Sequence, residues 1–477
     1  MRGVSILDHS TDPFLAKQLK RYLGRSFAAL SATVVLSAHG EALVPPPSEV
    51  PKLYDIAEAV SADRIYGDIE RLVGFGTRHT LSDTTSKTTG IGAARSWIYQ
   101  EFETISKACG GCLEIHYVSD FVEGETRIPN KTEVVSVVAI QRGAVDPNRM
   151  IMMSGDIDSR VSDVMNATSI SPGANDNASG VAGVLEAARV LSQYKFAGSI
   201  AYAALAGEEQ GLFGGKIVAQ YAKDQQWQLV GILNNDMISN IEGIDGVIDN
   251  STVRVFSEGT RAVETPEEAN LRRFTGGEVD SPSRNLARYV KSLGEKYIAN
   301  LNVMMVYRLD RFRRGGHHRP FNEAGFPGVR IMETHEHYDR QHQDLRTENG
   351  VVYGDTIDGV NAGYAAKLTA LNAITMAGIA AAPPIPQGVA IEGAVSPSTK
   401  IQWQEADKKT AKNLAGYKVY WRLTTEPTWT HSRYVGNVNS FELKNIVIDN
   451  YFFGVSAVAK DGSETPVVFP GPAGVFY

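Results

Sequence analysis

The segments MIMMSGDIDSR (150–160), SPGANDNASG (171–180), SIAYAALAGEEQ (199–210) and QLVGILNND (228–236) decide the fold, because in them acidic residues stand where short apolar runs stop. MIMM (150–153) gives way to Asp156 and Asp158, SIAYAALAG to Glu208 and Glu209, and QLVGILNN to Asp236, while Asp176 lies in the Gly-rich turn between the first two runs. Apolar runs of this length, separated by segments of helical period, read as buried parallel strands. Ligands in open α/β sheets bind outside the carboxyl ends of such strands. The acids would then share one cleft, where two carboxylates about 4 Å apart repel by roughly 4 kcal/mol at an effective dielectric near 20. The pattern calls for a cation to hold them.

Outward from this stretch the chain alternates helices and strands. Ser61 caps a helix through Ile65, Ile69, Leu72 and Val73, and a second helix over 92–105 places Ala93, Ala94, Trp97, Ile98 and Phe102 on one side. Residues 115–121 and 133–141 read as strands. Helices follow over 179–194 and 212–223. Residues 240–280 are polar and without clear periodicity, and are expected to cover or border the cleft. A helix over 282–301, a strand over 303–307, a basic loop over 308–318, a strand over 328–332, a segment with His335, His337 and His342, and a helix over 361–379 complete the pattern. A basic loop of this kind is ordinarily a solvated face.

At 477 residues the chain is too long for one ordinary core. A content of 43% apolar and 21% charged residues is that of a soluble globular protein, and a net charge of -7 argues against a nucleic-acid partner. No apolar run reaches the roughly 20 residues of a membrane span. Residues 1–44 read as a signal or leader segment, with basic residues before the apolar FAALSATVVLS (27–37) and the small-residue AHGEA, which predicts a secreted or periplasmic protein. In that setting the only two cysteines, Cys109 and Cys112, are expected to form a local disulfide; a redox pair is the competing reading. Residues 45–380 form the main domain, 381–386 a Pro/Ala-rich linker, and 387–477 short alternating runs of an all-β sandwich.

Each acid alone could be a helix cap or a loop residue. Together they suit hydrolysis, since one of two adjacent carboxylates can ligate a metal while its neighbour takes a proton from water. The segments GANDNASGVAGVLEAAR, LAGEEQGLFGGK and NNDM, with FGTRHT (75–80), GIGAARSWI and GGHHRPFNEAGFPGV (315–329), resemble the co-catalytic zinc exopeptidases typified by bacterial leucyl aminopeptidase and the glutamate carboxypeptidases. The resemblance spans roughly residues 62–379 and implies an α/β fold with a mixed, largely parallel sheet flanked by helices. It further implies two divalent metals, with Asp176 as the bridging carboxylate, Glu209 a ligand of one and Asp236 of the other, and Glu208 as the general base. The last ligand aligns with His342, with His337 as competitor, and the Asp176–Asn177 peptide is expected to be cis. IQW, YKVYW and YFFGVSAVAKDGSETP resemble a fibronectin type III domain, an immunoglobulin-like sandwich suited to surface or matrix contact.

This sequence departs from the family in one place. Where the family has a histidine two residues before a supporting aspartate, this chain has Asp156, with Asp158 keeping the supporting role. A site of Asp156, Asp176 and Asp236 is all oxygen and could favour manganese or magnesium, while Asp176, Glu209 and His342 suit zinc. Alternatively one metal is lost. The expected activity is hydrolysis of terminal bonds in a peptide or protein substrate, by default as an aminopeptidase. Carboxypeptidase or dipeptidase action, and a non-catalytic binding protein on the same scaffold, are the alternatives.

Overall fold

The computed structural model describes residues 43–472, so the expected leader lies outside the described residues except for Leu43 and Val44. Strands β1 (Leu113–Val122), β2 (Thr132–Gln141), β3 (Asp146–Asp156), β4 (Gly198–Leu205), β5 (Gln228–Asn235), β6 (Thr252–Ser257), β7 (Asn302–Val306) and β8 (Gly328–Glu333) form one sheet in the order β1-β2-β4-β3-β5-β8-β6-β7. The pairs β4·β3, β3·β5, β5·β8 and β6·β7 are parallel; β1·β2, β2·β4 and β6·β8 are antiparallel. The centre is therefore parallel and the sheet as a whole mixed, as expected. Along β3 the side chains alternate between two cores: Ile151 and Met153 join one, Met150 and Met152 the other. Both faces are buried, which is why this strand reads as a continuous apolar run.

Helices α1 (Pro51–Glu58), α2 (Ala62–Val73), α3 (Gly90–Ala108), α4 (Gly180–Leu191), α5 (Phe213–Asp224), α6 (Pro266–Thr275), α7 (Pro282–Tyr297), α8 (His318–Glu323) and α9 (Ala362–Ala381) accompany the sheet. Val184, Leu185, Leu286 and Leu371, from α4, α7 and α9, belong to the first core, and Val218 and Ala219 of α5 with Phe321 of α8 to the second. The α4 helix starts hard against the end of β3: a Cβ on Gly155 would lie 2.4 Å from the Gly180 carbonyl carbon, so only glycine permits the approach. That contact brings the turn Ala174–Ser179, which carries Asp176, to the carboxyl end of the central strand.

Two elements were not anticipated within 240–280. The β6 strand pairs with β7 and β8 and extends the sheet, and α6 follows it. No residue of α6 is buried, so it shows no apolar stripe; its sequence signal is the capping box, in which Thr265 and Glu268 bond reciprocally. Cys109 and Cys112 form a disulfide just past α3.

A hairpin of β9 (Arg346–Glu348) and β10 (Val351–Tyr353) precedes α9. Beyond α9, strands β11 (Ala390–Glu392), β12 (Thr399–Gln402), β13 (Leu414–Leu423), β14 (His431–Gly436), β15 (Ser440–Leu443), β16 (Tyr451–Ala459) and β17 (Gly471–Pro472) form two small sheets, β15-β12-β11-β17 and β14-β13-β16. Ile401, Trp403, Tyr417, Val419 and Val455 fill the core between them. Buried Asp280, just ahead of α7, accepts from Arg288 at 2.7 Å and from Arg422 of β13 at 2.8 Å, tying these sheets to the main body. Among the described residues no helix is long and apolar enough to cross a membrane.

Candidate active site

The sheet delivers its acids to one end. Asp156 is the last residue of β3, Asp236 follows β5 directly, and Glu208 and Glu209 come three and four residues after β4. These strands are parallel neighbours, so their carboxyl ends open on the same cleft. The turn before α4 adds Asp176, through an Asp176–Asn177 peptide that is cis. Asp176, Glu208, Glu209, Asp236 and His342 all line a cavity of about 740 Å³.

His342 approaches from the segment after β8. Its Nε2 lies 2.9 Å from Asp176 Oδ2 and 2.9 Å from Glu209 Oε1. Arg160 donates to its Nδ1 at 2.6 Å. Arginine can only donate, so Nδ1 accepts and the ring proton sits on Nε2, between the two carboxylates, where a metal ion would stand. Among the described residues, Asp176, Glu209 and His342 are the one group of three metal-ligating side chains with donor atoms within 4.8 Å of one another. His337 and His335 are not part of it. Two carboxylates and one imidazole, with the fourth position open, make a donor set for a catalytic zinc.

The neighbouring acids are organised around this group. Asp158 accepts the backbone N–H of Glu208 at 3.2 Å and of Glu209 at 3.0 Å, along with the Thr80 hydroxyl at 3.1 Å, and so fixes the turn that carries both glutamates. Burial, then repulsion from Glu209, pushes Asp158 up to about 6, above the usual carboxylate range. Burial, followed by repulsion from Glu209 and Asp236, pushes Glu208 well up. Glu209 is penalised by burial too, but His342 and Arg160 together hold it well below the ordinary value.

Asp156 and Asp236, expected to share a second metal with Asp176, are engaged elsewhere. Asp156 Oδ1 lies 2.5 Å from Nδ1 of fully buried His317, and its Oδ2 accepts from Asn177 at 2.8 Å. Burial drives Asp156 up to about 8 and His317 down to about 4, so both members of the pair move toward their uncharged forms. Asp236 Oδ2 lies 2.8 Å from the guanidinium of buried Arg330, which Asp310 and the Gly315 carbonyl anchor from behind. Asp156, Asp176 and Asp236 are not brought together as a ligand group in this arrangement.

Several contributors escaped the sequence. Asp355 accepts the backbone N–H of Asn175 at 2.9 Å and of Asp176 at 2.7 Å, holding the turn of the proposed bridging carboxylate. Arg160 and Arg330 are the cations beside the acids, and His317 is the buried imidazole against Asp156. Asp355 lies far along the chain in a polar loop with no periodic signal. His317 stands in the quoted GGHH segment and Arg330 in the strand GVRIME, where a charged residue inside an apolar run was the available clue.

A mixed sheet whose central parallel strands carry an acid and histidine cluster at their carboxyl ends, beside a further glutamate, has the side chains that metal-dependent peptide hydrolysis needs. Residues 136–360 match the model of peptidase family M28. The chain is 40% identical over 437 residues to a "Probable zinc metalloprotease" of Pyrenophora teres f. teres, covering 91% of this chain and 89% of the relative. It is 41% identical over 429 residues to a "Probable zinc metalloprotease" of Leptosphaeria maculans, covering 90% and 98%. This chain belongs to peptidase family M28. Its fold is similar to that of LapA from Legionella pneumophila, with a TM-score of 0.52 at 19% identity over 70% of this chain and 77% of that one.

Proposed function

We propose that the protein is an exported, zinc-dependent exopeptidase acting as an aminopeptidase. The observation that carries this reading is the convergence of Asp176, Glu209 and His342 on one point, 4.8 Å across, with Glu208 in the same cavity. Membership of a peptidase family and relatives named as zinc metalloproteases support it. A metal ion held by these three residues would polarise the scissile carbonyl and make water more acidic. Glu208 would take the proton of the attacking water and pass it to the leaving amine, while Asp158 keeps Glu208 and Glu209 in place through their backbone amides. The Cys109–Cys112 disulfide supports export. The C-terminal pair of sheets would be a fibronectin type III-like module for surface or matrix contact.

A second metal at Asp156, Asp176 and Asp236 would have to displace Arg330 from Asp236 and compete with His317 and Asn177 for Asp156. That site should therefore be the weaker one, whether it takes zinc, manganese or magnesium. Metal analysis of dialysed protein should return one tightly held zinc, with a second ion appearing only when metal is supplied in excess. Two ions retained through dialysis would contradict this ranking.

The activity itself is tested with zinc-loaded protein and a panel of peptides bearing free, N-acetylated or C-amidated ends. Cleavage that needs the free amine and tolerates the amide supports the aminopeptidase. The reverse pattern would make the enzyme a carboxypeptidase, a requirement for both free ends a dipeptidase, and no turnover a binding protein. Glu208→Gln should keep its zinc and lose about 10²–10⁴-fold in kcat; a variant with full activity would refute the role given to Glu208.

A further inference from the structure

The walls of the active-site cavity carry a charge pattern that the hydrolytic machinery leaves unused. Four of its acids, Asp176, Glu208, Glu209 and Asp236, are on the floor, and the fifth, exposed Glu323, pairs with Arg319 at 3.3 Å. Of the cations around them, Arg160 is committed to Glu209 at 2.7 Å, and Arg311 and Arg314 to Glu336 at 3.1 and 3.0 Å. Arg127, Lys216 and Arg313 are different. All three are exposed residues lining the cavity, and among the described residues none has a carboxylate partner. Arg127 donates only to the Glu209 carbonyl, and Lys216 only faces the Phe213 ring. The chain as a whole has a net charge of -7, so a positive mouth is not a reflection of the general surface. A metal on the floor would neutralise the acids there and leave these three cations less compensated still.

The walls also lack what an apolar side chain needs. Pockets for such groups are lined mostly by apolar and aromatic residues, whereas here, among the described residues, Leu212 and Tyr338 are the only large hydrophobic side chains in the lining. We infer that the site selects anionic peptides, binding a carboxylate close to the scissile bond through Arg127, Lys216 and Arg313. The inference rests on the peptidase reading above and names its substrate class. The carboxylate could be an acidic side chain or the free C-terminus of a short peptide.

The test uses zinc-loaded protein and tripeptides built on Ala-Ala-Ala, with Glu or Lys at the first or second position, each as free acid and as C-terminal amide. Hydrolysis is measured as kcat/KM, and binding of the same peptides by calorimetry. Glu peptides should exceed their Lys counterparts about tenfold, the size expected of exposed ion pairs acting together. The ratio should shrink between 50 mM and 500 mM salt, as the Debye length shortens, and in the Arg313→Ala, Lys216→Ala double variant. A Glu preference that persists in the amides assigns the carboxylate to the side chain; a preference for free acids over amides, whatever the side chain, assigns it to the terminus. Lys peptides equal to or better than Glu peptides with no advantage for free acids, or a ratio unmoved by both salt and the double variant, would overturn the inference. If no peptide is cleaved, the peptidase reading fails while the binding ratio still decides the charge preference.

Discussion

Replacing Asp355 tests whether the proposed metal site is held in shape from outside. The carboxylate of Asp355 is 7% exposed and lies within 3.0 Å of two consecutive backbone amides, those of Asn175 and Asp176. It touches neither Glu209 nor His342 in the hydrogen-bond network, so its effect on the site must pass through the position of Asp176. In Asp355→Asn a neutral oxygen in the place of Oδ2 can still reach both amides, but the charge is gone and the new amide N–H groups confront the Asn175 N–H that Oδ1 accepts at 2.9 Å. Each hydrogen bond to a charged group contributes about 1.5–3 kcal/mol, and losing the Oδ1 bond together with the charge places the stability cost at about 2–3 kcal/mol. Partners that orient a ligand in this way typically change metal affinity by about 10–100-fold. Zinc affinity measured by competition with a chromophoric chelator should fall within that range, and urea unfolding should show the stability loss. A variant that unfolds earlier yet binds zinc within twofold of the parent would show that Asp355 stabilises the loop without positioning Asp176.

Two further expectations concern the frame around the site. Asp280→Ala would leave the buried guanidinium groups of Arg288 and Arg422 without their shared carboxylate, at a cost of about 3–5 kcal/mol, read by denaturant unfolding; a loss below about 1 kcal/mol would mean that the arginines find other acceptors. His318 is fully buried, and burial holds it at about 4 despite the attraction of Asp310. Its folded value lies below the unfolded one of about 6.5, so the stability it contributes is present above pH 6.5 and is lost as pH falls through 4, by up to about 3 kcal/mol. The difference in unfolding free energy between the parent and His318→Gln should narrow by about that amount across the window, and a difference that stays constant with pH would refute the assignment.

The parts of this protein that were legible in its sequence are those where one physical demand repeats. Strands β3, β4 and β5 are buried on both faces, so MIMM, SIAYAALAG and QLVGILNN could not alternate, and the acids after them marked the carboxyl edge. Glu208 and Glu209 were legible because two adjacent carboxylates after a buried strand have few structural uses. The α6 helix was not, since it buries nothing and leaves only a capping box, and β6 was hidden in a polar segment. The partners of the acids were hidden for another reason: His317, Arg330, Asp355 and Arg160 come from loops and strands that share no period with the residues they serve.

Asp156 shows what that limitation means for function. The sequence marks it as an acid where the family resemblance calls for a histidine, and from the residue alone the choice lies between a harder metal site and a lost one. The structure adds a buried imidazole, His317 Nδ1, at 2.5 Å, so acid and histidine are both present, but at positions 156 and 317. The buried carboxyl at 156 therefore has a specific partner and need not be stabilised by a metal. Arg330 does the same for Asp236. The like-charge repulsion that made the acidic cluster conspicuous in the sequence is thus divided unequally: at Asp156 and Asp236 protein groups already relieve it, while at Asp176 and Glu209 it is relieved by a proton on His342 that a metal ion can replace. That asymmetry is the reason to expect one tight ion and one weak one.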